Sequence, residues 1–128
     1  MGYLSLSLYE FNTTNKSDNS GLQQAIRCAF FSKVRFRVGA AVWGVGGCCN
    51  SRKGHPALRT MGYPEWCNRH AELALVLACG KKLERATVYV ARLLQDDSPG
   101  MAKPCQFCMH VLTEVGVKRV VWTTGDVF

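Results

Sequence analysis

At 128 residues, 48% hydrophobic and 20% charged, the chain is long enough for one buried core and too short for two, so a single domain over residues 1–128 is expected. No apolar run could span a bilayer, and Met1 to Leu8 lacks the basic region and cleavage site of a signal peptide, so a cytoplasmic protein without membrane partners is expected. Seven cysteines are an odd number for a disulfide framework, and a net charge of +7 favours an anionic partner, whether nucleotide or nucleic acid.

Leu4, Leu6 and Leu8 alternate with polar residues, which suits an edge strand or a loosely held terminus before the polar run from Asn12 to Asp18. Ser20 can cap a helix to about Ser32, in which Leu22, Ala25, Ile26, Ala29 and Phe30 recur at helical spacing. A strand follows from Phe36 to Trp43, with small residues at Gly39, Ala40 and Ala41 that allow close approach of another backbone or a ligand. Gly44, Gly46 and Gly47 then break the pattern, which predicts that the strand region folds back as a hairpin.

From about Asn50 to Asn68 runs a long irregular stretch punctuated by Gly54, Pro56, Gly62 and Pro64. Asn68 can cap a helix to Cys79, with Gly80 at its left-handed end. Ala86 to Ala91 is a strand, Gln95 to Lys103 is irregular, and Pro104 fits the first turn of a helix from Cys105 to Val115. Gly116 ends that helix, and Val117 to Thr123 is the last strand. Alternation of strands and helices implies an α/β fold with a parallel component, made mixed by the hairpin.

Two stretches carry chemistry: His70-Ala71-Glu72 and Pro104-Cys105-Gln106-Phe107-Cys108. Three residues turn a helix by about 300°, so Cys105 and Cys108 fall on nearly one face, and at a helix start the dipole favours the thiolates that bind zinc. His70 supplies a third ligand if its helix tip meets the same point, although His70 and Glu72 would diverge by about 200° within a regular helix. Three protein ligands leave zinc a position for water, whose pKa falls toward about 7, and Glu72 can carry its proton. A competing arrangement adds Cys67 and closes a purely structural, non-catalytic zinc site.

With these motifs the sequence resembles the zinc-dependent cytidine and deoxycytidylate deaminase superfamily, in type most like the deoxycytidylate (dCMP) deaminases, over the stretch from Phe36 to Thr123. The resemblance implies a three-layer cytidine-deaminase-like fold whose mixed sheet of about five strands is covered by helices. It implies a Zn2+ ion held by His70, Cys105 and Cys108, with Glu72 shuttling a proton as water attacks C4 of cytosine and ammonia leaves. It places the Ala71 backbone against the base carbonyl and Asn50 against base or sugar, and it implies a homo-oligomer. By the residues alone, stabilising a turn is the alternative role for Asn50.

Departures from the family pattern bear on substrate. Where deaminases of free nucleosides typically carry a ribose-binding glutamate and a third cysteine ligand, this chain has Arg52 and His70. Arg52, Lys53, His55 and Arg59 make the loop basic, which suits a phosphate and so a cytosine nucleotide such as dCMP. Deaminases of single-stranded DNA or RNA are the rival, with Tyr63, Trp66 and Phe107 as candidate stacking partners. The tRNA adenosine deaminases fit less well, because Lys103 stands where their glutamate precedes the Pro-Cys pair and the chain ends at Phe128 soon after its last strand.

Overall fold

The computed structural model describes residues 3–6, 10–11, 16–51 and 70–124. In chain order the elements are β1 (Tyr3–Leu6), β2 (Glu10–Phe11), α1 (Lys16–Phe30), β3 (Arg37–Val42), β4 (Gly46–Cys49), α2 (Ala71–Cys79), β5 (Thr87–Leu93), β6 (Pro99–Gly100), α3 (Gln106–Glu114) and β7 (Arg119–Thr123). They form one seven-stranded mixed sheet in the order β2-β1-β7-β5-β3-β4, with the short β6 beside the end of β5. Among the described residues only β5 and β7 pair in parallel, Val88 opposite Val120 and Val90 opposite Trp122, as the crossover through α3 requires. β3 and β4 form the expected hairpin, Ala40 opposite Cys48, across a turn in which Gly44 adopts φ +74°.

Side-chain alternation divides the core between the sheet's two faces. Ala40, Val42, Val88, Val90, Val120 and Trp122 pack with Leu73 and Val76 of α2 and Val111 and Leu112 of α3. On the other face Ala41, Tyr89, Ala91 and Val121 pack with Leu22 and Ala25 of α1. The result is a three-layer α/β arrangement, helix against sheet against helices. Gly39 explains how closely α1 approaches, since a Cβ there would lie 2.1 Å from the Ala25 carbonyl oxygen and 2.6 Å from the Ala29 amide nitrogen.

Several boundaries differ from the sequence expectation. α1 begins at Lys16 instead of near Ser20, because Asp18 within its first turn is fully buried and bonded to the sheet beneath. Tyr89 donates its hydroxyl to Asp18 Oδ1 at 2.8 Å, and the Arg119 guanidinium grips both carboxylate oxygens at 3.3 and 3.0 Å. The helix stops at Phe30, whose ring is half exposed and leaves the core stripe. β1 is not an edge, since it pairs with β7 along Tyr3 to Leu6 and β2 flanks it. Nor is the stretch after Gln95 wholly irregular: Arg92 pairs with Gly100, and Met101 bridges to Thr124.

Candidate active site

His70 is not part of the helix it introduces. It occupies the N-cap of α2 with extended backbone (φ −71°, ψ 150°), so Ala71 is the first helical residue and Glu72 the second. The divergence expected between His70 and Glu72 in a regular helix therefore does not arise. Cys105 plays the matching part at α3, an extended N-cap (φ −64°, ψ 164°) whose Sγ accepts from the Cys108 amide at 3.4 Å. A cysteine sulfur thus takes the place that a capping hydroxyl or carboxylate usually fills, satisfying one of the helix's orphan donors. Pro104 accordingly stands just outside the helix instead of in its first turn, while Asn68, expected as the cap of α2, lies outside the described residues.

The two helix starts converge. His70 Nδ1 is 3.2 Å from Cys108 Sγ and 3.8 Å from Cys105 Sγ, and the three donor atoms all lie within 4.8 Å of one another. A tetrahedral zinc ion, with bonds of about 2.3 Å to sulfur and 2.0 Å to nitrogen, needs donors about 3.6 to 3.8 Å apart. The donor set fits zinc in chemistry, and its spacing brackets that range. Burial lowers the pKa of His70 and so favours the neutral imidazole, the form that ligates a metal. Cys108 is buried and Cys105 exposed, so the group sits at a boundary between core and solvent.

Glu72 is 6% exposed, an unusual setting for a carboxylate with no cation beside it among the described residues. Burial raises its pKa, opposed in smaller measure by hydrogen bonds with its own backbone amide and with Cys108. Glu72, His70, Ala71 and Cys105 form one wall of a cavity of about 340 Å³. Phe36, Val38, Asn50, Arg92, Met101 and Lys103 also line it.

Asn50 both lines the cavity and braces the loop leading into β3. Its amide oxygen accepts from the Ser32 hydroxyl at 2.6 Å and the Val38 N–H at 3.0 Å, and its amide nitrogen donates to the Phe36 carbonyl. Arg52, Lys53 and His55 lie outside the described residues, as do Arg59, Tyr63, Trp66 and Cys67. Phe107 packs against the core and does not line this cavity. Phe36, Arg92 and Met101 were not anticipated as cavity residues. Arg92 carried a legible signal, because it continues the alternate row Val88, Val90 on the apolar face and is the one cation there.

Among the described residues, no helix is long and apolar enough to cross a membrane. No curated protein and no solved structure matches the chain. Residues 15–124, however, match the family described as the cytidine and deoxycytidylate deaminase zinc-binding region, a span that contains both helix starts, the buried glutamate and the whole cavity. The chain belongs to this family of zinc-dependent deaminases.

Proposed function

We propose that this protein hydrolytically deaminates cytosine in a free nucleotide, converting dCMP and water to dUMP and ammonia. The observation that carries the reading is a buried glutamate, Glu72, adjoining a His70, Cys105 and Cys108 donor group at the wall of a cavity sized for a small molecule. A purely structural zinc site has no use for an acid held at such cost beside it.

His70, Cys105 and Cys108 would hold zinc, which when bound would supply Lewis acidity that brings the ionisation of water toward about 7. Glu72 takes a proton as the water oxygen bonds to C4 of the ring, and returns it to the amino nitrogen as the C4–N bond breaks. A raised proton affinity suits a group that must hold the proton between those two events. The Ala71 backbone, at the first turn of α2, is assigned to the base carbonyl, and Asn50 to the base or sugar through the donor capacity its loop contacts leave over. Arg52, Lys53 and His55 are assigned to the phosphate.

Phe36, an exposed residue that lines the cavity, favours a second reading in which the cytosine belongs to a single-stranded polynucleotide, since exposed rings stack unpaired bases. Incubating zinc-loaded protein with dCMP, deoxycytidine and a cytosine-containing oligonucleotide, and measuring uracil in each, separates the readings. Fastest conversion of dCMP is expected; conversion of the oligonucleotide with none of dCMP overturns the nucleotide assignment in favour of the second reading.

A further inference from the structure

We infer that Arg92 recognises a phosphate group of the substrate, an inference that rests on the deaminase reading above. Arg92 stands on β5 opposite Val38 and on the same sheet face as the donor group, and it lines the cavity together with His70 and Glu72. Its neighbours on that face, Val88 and Val90, are core residues, so a cation at this position has a partner to explain.

The described part of the chain provides no such partner. Arg37 is paired with Asp97 at 2.6 Å, and Arg119 with Asp18 at 3.0 Å, whereas Arg92 has no carboxylate partner among the described residues. Its Nε is buried and has no hydrogen-bond partner among them. A buried donor on a permanently charged group is costly unless something accepts from it, and the adjoining cavity is where an acceptor can enter.

The surroundings hold the guanidinium in readiness for one. Its central carbon lies 4.9 Å from the centre of the Phe36 ring, a contact that favours a cation without neutralising it. Gly100, the residue paired with Arg92 across β6, presents no side chain, and a Cβ there would already touch Arg92 Cδ at 3.4 Å. Lys103 lines the same cavity and adds a second positive charge. A planar guanidinium with adjacent N–H donors matches the oxygens of a phosphate, and a phosphate accepts in several directions at once.

The test compares wild type with Arg92→Gln and Arg92→Lys, all zinc-loaded, on deoxycytidine, dCMP and a cytosine oligonucleotide. Losing a charge-assisted contact predicts that Arg92→Gln lowers the preference for a phosphate-bearing substrate over deoxycytidine by about ten- to a hundredfold in kcat/KM, with Arg92→Lys recovering part of it. A fall confined to dCMP identifies a terminal phosphate, and one confined to the oligonucleotide a backbone phosphate. Equal losses on all three substrates, or none, overturn the assignment. Calorimetric binding of dCMP and deoxycytidine to the same proteins gives a readout independent of turnover. If wild type converts nothing, the deaminase reading fails, and Arg92 is then judged on whether Arg92→Gln abolishes tighter binding of dCMP; an unchanged or absent preference overturns it.

Discussion

His70 Nδ1 and Cys108 Sγ lie 3.2 Å apart although 38 residues separate them, because each stands at the start of a different helix and the two helix starts meet. His70 caps α2 from extended backbone, while Cys108 stands inside the first turn of α3 and is fully buried. The metal-binding group is therefore a property of the packing between two helix starts, and anything that holds it in place also holds the first turns of α2 and α3.

Replacing Cys108 or His70 with alanine should accordingly remove both metal and stability. Metal analysis of the purified variants is expected to fall well below the roughly one zinc per chain of a three-ligand site. Thermal unfolding of wild type should shift downward on treatment with a chelator, since a ligand bound only by the folded state stabilises it by mass action. Retention of full zinc by Cys108→Ala would place the metal elsewhere.

The approach of α1 to β3 makes a sharper packing test. Because the obstacle at Gly39 is the helix backbone of Ala25 and Ala29, Gly39→Ala cannot be relieved by a rotamer change, and a cost of roughly 1–3 kcal/mol or more is expected. At Gly47 the nearest atom to an added Cβ is Cys28 Sγ, the end of a side chain that can rotate away. Gly39→Ala should thus lower the Tm by about 4 °C or more, and by more than Gly47→Ala does. Equal shifts would contradict this account of the interface.

Much of this was legible in the sequence, and the limits have physical causes. The small residues of β3 signalled close approach, and Gly39 meets the backbone of α1. The glycine-rich stretch signalled the hairpin, with β3 and β4 paired across Gly44. The zinc donors were legible from their types and spacing, but their cap positions were not, because helical-wheel geometry says nothing about a residue whose backbone is extended. The true start of α1 was hidden because Asp18 reads as a polar loop residue until Tyr89 and Arg119, 71 and 101 residues away, supply its partners. Arg92 was legible as a cation in the apolar row of β5, but the cavity that it lines was not, because residues of β3, β6 and two helix starts close it together.

Asp18 anchors the start of α1 to the sheet, and removing it leaves Arg119 without its carboxylate. Asp18→Ala is expected to cost about 3–5 kcal/mol, as for other broken buried pairs. Tyr89→Phe removes one hydrogen bond to the same carboxylate and should cost less, about 1.5–3 kcal/mol. Urea midpoints with unchanged m-values measure both. An Asp18→Ala variant as stable as wild type would mean that α1 is held by its apolar face alone.

Glu72 is assigned the movement of protons and no hold on the metal. The direct measurement is ammonia and uracil release from dCMP by zinc-loaded wild type and Glu72→Gln side by side, with zinc content determined on the same samples. Full zinc content with turnover reduced by a factor of about 10² to 10⁴ is the expected result. Turnover at the wild-type rate by a fully zinc-loaded Glu72→Gln protein would contradict it.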